Sequence, residues 1–251
     1  MSPPRTATRE EWLAERAELR KLEEEHAKRS EELAEKRRQL PWVPVEKEYT
    51  LATEDGPRTL AELFDGRSQL LAYNIMYGPD YSVGACPGCS NLADHFDGAL
   101  VHLNHRDVTL LAFSRAPIDR LQAYKERMGW NFPWVSTYEN DFAFDFDLAF
   151  PPEQLRESDE AREMLDDPPD WLQEWGQQVG VGTELAKGMS ESPTWIAFAL
   201  EDGVVYHTYS RPAPDRDIVV PYYLQLLDQT PKGRSDDFRA WRNDEYDSVS
   251  P

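Results

Sequence analysis

The chain has 251 residues, with 47 acidic against 27 basic side chains and a formal net charge of −20. A nucleic-acid surface needs a basic stripe and an anionic membrane needs a basic patch, so neither is expected as a partner. No stretch approaches the ~20 apolar residues that span a bilayer. The charged segment after Met1–Arg5 has no apolar run of the secretory kind, so a cytoplasmic location is expected.

Thr8 to about Leu40 reads as one long helix. Thr8 is a good N-cap, Glu10 and Glu11 lie in the first turn, and Lys36, Arg37 and Arg38 lie in the last. Trp12, Leu19, His26, Leu33 and Leu40 recur every seven residues, but charged neighbours (Glu15, Arg29, Lys36) keep the stripe narrow. The stripe predicts a helix lying along its own domain or along a second copy of the chain, a homodimer in the latter case, with His26 as filler. Pro41-Trp42-Val43-Pro44 ends it.

Tyr49–Ala52, Glu54-Asp55-Gly56 and Arg58–Leu60 then read as a small hairpin, and Thr59–Phe64 as a helical turn closed by Gly66. Gln69–Tyr77 is apolar and of strand length. It leads to the only two cysteines of the chain, Cys86-Pro87-Gly88-Cys89, after which Leu92, Phe96, Ala99 and Leu103 recur at helical spacing.

A CxxC that opens a helix places its cysteines one turn apart on one face, within bridging reach. The helix start supplies free N–H groups that favour a thiolate, and Pro87 fits the first helical position. Zinc knuckles share the spacing but need two further ligands, and there is no third cysteine. The strand–CxxC–helix context therefore favours a redox dithiol, resting reduced in a cytosolic setting. No metal and no cofactor is assigned.

Val108–Ser114 is a second strand, and Pro117 opens a helix through Met128. The order β-α-β-α is the first half of a thioredoxin fold with a right-handed parallel crossover. Thr194–Leu200, the Asp202-Gly203 turn and Val204–Tyr209 form a hairpin, and Ile218–Leu227 a closing helix. Between the halves, Asp141–Asp147 alternates apolar and polar with period two, and the acidic Pro151–Asp170 reads as an irregular excursion. The expected division is a helical extension over 1–44, a main domain over 45–230 with an insertion at about 130–192, and a polar tail over 231–251.

Several segments together resemble a thioredoxin-like family of unknown function whose members are described as predicted dithiol-disulfide oxidoreductases. They are the charged N-terminal helix, Leu60-Ala61-Glu62-Leu63-Phe64-Asp65-Gly66-Arg67, Tyr77-Gly78-Pro79-Asp80, the CxxC with Ser90, Arg127–Trp130, Phe132–Ser136, Asn140–Phe142, Asp145-Phe146, Val205–Ser210 and Leu227–Arg234. The resemblance spans roughly residues 10 to 235. It implies an α/β fold: a thioredoxin-like (peroxiredoxin-type) three-layer sandwich with a long N-terminal helix and an insertion between its halves. By the same resemblance Cys86 is the nucleophile and Cys89 the resolving thiol. Exposure and a lower pKa at the helix start give that assignment independently. The implied substrate is a disulfide-containing protein or a small thiol compound, with an electron donor the sequence does not name.

Pro193 precedes the returning strand, where thioredoxin-like proteins place a cis-proline that leaves backbone groups facing the dithiol. A cis Ser192–Pro193 bond is expected, with Pro193 and Thr194 as substrate contacts beside Pro87. Trp130 and Trp134 are read either as core or as the wall of a groove over Cys86. Asp141 and Asp145 are read as solvated strand residues, with tuning of Cys89 as the alternative. Two other functions compete with the oxidoreductase. A thiol peroxidase would need a hydroxyl where Val83 stands, between Pro79 and Cys86. A copper-binding site would draw on Cys86, Cys89 and His207, which reads more simply as a packed strand residue, and a non-catalytic binding module would usually lose one of the two cysteines kept here. His95 and His102 read as a solvated helix flank.

Overall fold

The computed structural model describes residues 5–212 and 229–230. Residues up to Pro41 form one compact unit and those from Trp42 another.

The first unit is helix α1, Arg9–Arg38, with no buried residue. Local interactions account for it. Thr8 Oγ1 accepts the Glu11 N–H at 3.2 Å while the Glu11 carboxylate accepts the Thr8 N–H at 2.8 Å. The two bonds make a reciprocal capping box. Ion pairs one turn apart, among them Arg20–Glu24, Lys21–Glu18 and Arg29–Glu32, line its sides. Trp12, Leu19 and Leu40 of the sequence stripe are exposed.

The second unit is built on one eight-stranded sheet. In chain order the strands are β1 (Val43–Pro44), β2 (Thr50–Thr53), β3 (Gly56–Thr59), β4 (Gln69–Asn74), β5 (Val108–Ser114), β6 (Trp134–Ser136), β7 (Thr194–Glu201) and β8 (Val204–Pro212). Their spatial order is β1-β8-β7-β4-β5-β6-β2-β3. β4 and β5 pair in parallel, and β7 and β8 form the antiparallel hairpin on the other side of β4. The hairpin turn uses Asp202 (φ 51°) and Gly203 (φ 80°), both left-handed. A two-residue hairpin turn of this kind demands that conformation. Val43 and Pro44 pair with His207 and Tyr206, so the sheet begins before residue 45 and the helical extension is shorter than 1–44.

The helices are α2 (Pro87–Ala93), α3 (Asp97–Asn104), α4 (Ile118–Met128), α5 (Phe142–Asp145), α6 (Asp159–Asp166), α7 (Asp170–Val179) and α8 (Leu185–Met189). None of the described helices is long and apolar enough to cross a membrane. The single helix expected after the CxxC is two, broken at Asp94–Phe96. Asp94 there accepts the Trp130 indole N–H, and Asp97 accepts the backbone N–H groups of Asn131 and Phe132.

Two other expectations are corrected. Asp141–Asp147 is not extended. Asn140 Oδ1 accepts the Phe142 N–H at 2.8 Å and starts the one-turn helix α5. Phe142 is then buried and Phe146 half-buried one turn apart, while Phe144 is exposed, an i, i+4 pattern that period two conceals. Pro151–Asp170 is not irregular either, since Ser158 caps α6 through the Ala161 N–H and Pro169 precedes α7. Trp134–Ser136, expected within the insertion, is β6 and pairs in parallel with β5. The predicted helix Ile218–Leu227 and the tail from Pro231 lie outside the described residues.

Strand alternation splits the core into two clusters on opposite faces of the sheet. One holds Tyr73, Leu110, Ala112, Trp134 and both cysteines, with Trp195 packed against it. The other holds Leu70, Ala72, Leu111, Phe113, Val135, Ile196 and Phe198. Helices α2 and α4 pack on the first face; the β2–β3 hairpin and α5 cover the second. Phe113 is fully buried and meets Phe142 at a centroid distance of 4.9 Å. Phe113→Ala should therefore destabilise the domain by about 3–5 kcal/mol, read by denaturant unfolding. A loss below about 1 kcal/mol would mean that the second face is not a packed core.

Candidate active site

Cys86 sits where β4 hands over to α2. Its N–H donates to Met76 O at 2.9 Å, which fixes the residue at the carboxyl end of the strand. It is the N-cap of α2, with Pro87 in the first turn. Ser90 N and Oγ both donate to Cys86 O, at 2.9 and 3.0 Å, and close that turn. Cys86 and Cys89 are unpaired and 4 Å apart.

Both cysteines are buried, with Cys86 only 9% exposed and Cys89 3%. Burial alone would push both thiols up. Cys86 goes the other way, to about 6, because the Cys89 thiol donates to it, helped by the backbone N–H groups of Cys89 and Gly88 and by the indole of Trp175. Trp175 Nε1 lies 3.3 Å from Cys86 Sγ. Cys89 is pushed up in turn, first because it donates to the Cys86 sulfur and then by burial and the neighbouring negative charge. The Tyr73 hydroxyl donates to Cys89 Sγ at 3.5 Å and partly opposes this. One proton is thus shared unequally between two sulfurs, and the more acidic of them is the N-terminal one.

Sequence reasoning did not single out Trp175 or Tyr73. Tyr73 lies inside the predicted strand with nothing to mark it. Trp175 lies on α7 with Leu172, Gly176 and Val179 at helical spacing, the periodic signal that could have revealed the helix. The indole of Trp175 meets Tyr81 edge-on at 6.0 Å, and the Tyr81 hydroxyl donates to Gly188 O at 2.7 Å.

The segment 192–194 reaches the same end of the sheet as the dithiol, since Trp195 pairs with Tyr73. The expected cis bond is corrected: the described residues contain no cis peptide, so Ser192–Pro193 is trans. Both backbone groups of Ser192 are paired within the fold. Ser192 N–H donates to Leu148 O at 2.9 Å, and Ser192 O accepts the Asn74 side-chain amide at 2.8 Å. Thr194 is buried and its hydroxyl pairs with that of Ser192. Glu191, just before, is buried against Arg115 at 2.9 Å, and burial pushes its carboxyl up to about 7 although Arg115 pulls the other way.

Trp130 and Trp134 are buried behind the dithiol in the same cluster. Their indole N–H groups are committed to Asp94 and to Ser114 Oγ, at 2.8 and 3.0 Å. Ser82 Oγ donates to Gly180 O at 2.7 Å and Val83 is exposed, so no free hydroxyl stands at the peroxidase position. Asp141 and Asp145 lie away from Cys89. Both accept from Lys47, and Asp145 also from Tyr49, on the far face. His207 is opposite Phe198 in the register and touches Phe146 and Phe198, again on the far face. The sheet therefore separates His207 from the cysteines, and the described residues hold no cluster of three metal-ligating side chains.

A parallel β-α-β unit, a returning hairpin beside its first strand and a CxxC at the head of the crossover helix make this a thioredoxin-like domain. The chain belongs to the bacterial family of unknown function DUF899, whose model matches residues 1–247. No curated protein matches it. Among solved structures, peroxiredoxin Q of Xanthomonas campestris is similar at 16% identity and TM-score 0.42, over 65% of this chain and 79% of that one. PrxQ of Xylella fastidiosa is similar at 14% identity and TM-score 0.44, over 71% of this chain and 84% of that one. Peroxidoxin BcpB of Mycobacterium tuberculosis is similar at 18% identity and TM-score 0.36, over 45% of this chain and 67% of that one. At such identities and scores the likeness carries no activity across.

The lowered pKa has a direct consequence for reactivity. Only the thiolate alkylates, so the Cys86 rate should rise with pH to a plateau, half-maximal near pH 6. Peptide mass mapping after timed iodoacetamide pulses reads this. A midpoint near the ordinary thiol value of 9.0 would show that the donors around Cys86 do not act on it.

Proposed function

We propose that this protein is a dithiol-disulfide oxidoreductase working through the Cys86–Cys89 couple. The observation that carries the reading is the geometry around Cys86 at the head of α2, with Cys89 4 Å away and Trp175 Nε1 3.3 Å from its sulfur, an arrangement whose hydrogen bonds lower Cys86 and raise Cys89. It supports a nucleophile that is ionised near neutral pH beside a second thiol that stays protonated until needed.

The chemistry follows from that pair. The Cys86 thiolate attacks one sulfur of a substrate disulfide. An S–S bond forms to Cys86, the substrate bond breaks, and the other half leaves as a thiolate. The charge beside Cys89 then disappears. That charge and the hydrogen bond to it are what hold the Cys89 thiol up. Cys89 therefore ionises more easily once the mixed disulfide exists. It attacks the Cys86 sulfur, releases the second half of the substrate as a thiolate and closes the Cys86–Cys89 disulfide. The proton of Cys89 goes to the departing thiolates. A separate thiol reductant must reopen the disulfide for a further turnover, and with an oxidant in its place the same steps run backwards.

The substrate we propose is a disulfide, in a protein or in a small thiol compound. The 9% exposure of Cys86 favours small or extended substrates, because a bulky surface does not reach the sulfur. The trans Ser192–Pro193 bond and its paired backbone groups remove one usual platform for docking a protein chain.

Serine variants test the division of labour. Cys86→Ser should lose disulfide exchange by at least about two orders of magnitude. Cys89→Ser should accumulate a mixed disulfide on Cys86, visible as an added substrate mass that excess thiol removes. Normal turnover by the Cys89 variant would sink the two-cysteine mechanism.

A further inference from the structure

We propose that Trp175 is a working part of the dithiol centre: its indole N–H holds the reduced sulfur of Cys86 and so sets the balance between dithiol and disulfide. This rests on the redox reading of the Cys86–Cys89 pair. An indole N–H can only donate. Lying 3.3 Å from Sγ, it is matched to a sulfur that accepts. A charged acceptor binds such a donor more strongly than a neutral one. A disulfide sulfur is neutral. The contact therefore favours the reduced, ionised state over the oxidised one.

The placement of the ring is built rather than incidental. Trp175 comes from α7, 89 residues along the chain from Cys86. Its segment is tied to the loop that leads into the CxxC at three points. Val83 N–H donates to Val179 O at 3.2 Å, Ser82 Oγ to Gly180 O at 2.7 Å, and the Tyr81 hydroxyl to Gly188 O at 2.7 Å. The indole edges Tyr81 on one side and lies against Gly188 on another, where an added Cβ would come within 2.8 Å of the ring. Only glycine leaves the ring where it is. The insertion thus delivers an indole N–H to the reacting sulfur.

The titratable groups that face Cys86 are Cys89 on its own helix, Tyr73 from β4, Tyr81 from the preceding loop and Tyr124 from α4. Burial raises all three tyrosines. They therefore stay neutral between pH 5 and 9; the cysteine pair titrates there, as does the buried carboxyl of Glu191, which is pushed up to about 7, is paired with Arg115 and is present in the natural chain and both variants alike.

Two variants of the intact chain test the proposal. Trp175→Phe keeps a ring beside Tyr81 and Gly188 but removes the donor. Gly188→Ala keeps the indole and forces it to shift. Two quantities are read in each: the pH midpoint of Cys86 alkylation, and the fraction of Cys86–Cys89 disulfide in a dithiothreitol redox buffer. The midpoint should move up by roughly one pH unit in Trp175→Phe. The equilibrium should then shift about fivefold toward the disulfide at pH 7 and hardly at all at pH 5, where the sulfur is protonated in both proteins. Gly188→Ala should move both readings in the same direction. A purely structural role for the ring would shift the equilibrium equally at both pH values. A wild-type midpoint in either folded variant, or an equal shift at pH 5 and 7, overturns the proposal. If the midpoint moves but no variant, nor the natural chain, ever forms the disulfide, Trp175 still governs the thiolate and it is the oxidoreductase reading that fails.

Discussion

A thiolate inside an apolar cluster is costly unless hydrogen bonds compensate it. That constraint organises the near face of this domain. The Cys89 thiol, two backbone N–H groups of the first turn of α2 and the Trp175 indole all converge on Cys86 Sγ. Each donor depends on a different part of the fold. The backbone donors need Cys86 as the N-cap of α2, which the bond from its N–H to Met76 O secures. The Cys89 donor needs the one-turn spacing of the CxxC. The indole needs the insertion to fold back across the loop that precedes the motif.

The sheet does the rest by keeping chemistry to one side. Successive strand residues point to opposite faces, and the second face carries its own core around Phe113, Phe142 and Phe198. His207, Asp141 and Asp145 belong to that far side, where Lys47 and Tyr49 donate to the carboxylate of Asp145. These are the side chains that the competing readings, a copper site and a carboxylate tuning Cys89, would have needed beside the cysteines. Their exclusion leaves Cys86 faced by Cys89 and by the buried tyrosines Tyr73, Tyr81 and Tyr124.

Elements with local signals were legible in the sequence. The capping box of Thr8 and Glu11, the apolar runs of β4 and β5, the Asp202-Gly203 turn and the CxxC at the head of α2 all rest on residues a few positions apart. Errors arose where the local pattern had two solutions. Phe142, Phe144 and Phe146 alternate as a strand would, yet Asn140 starts a helical turn and the i, i+4 pair packs inward. The prolines between Pro151 and Pro169 suggested irregular chain but mark the approaches to α6 and α7. The trans Ser192–Pro193 bond had no local signal either; the carbonyl of Ser192 accepts from Asn74, 118 residues earlier in the chain. Trp175 could be placed on a helix from its spacing, but no local rule says which sulfur a tryptophan 89 residues away will meet.

In the proposed mechanism Cys86 and Cys89 form a reversible two-electron couple within one chain. A redox titration of the intact protein in graded glutathione buffers, quenched by alkylation and read by mass, tests it most directly. A single reversible transition in which both thiols disappear together is expected, with a midpoint between roughly −270 and −180 mV. Thiols that never pair across that range, or that pair only between chains, would contradict it.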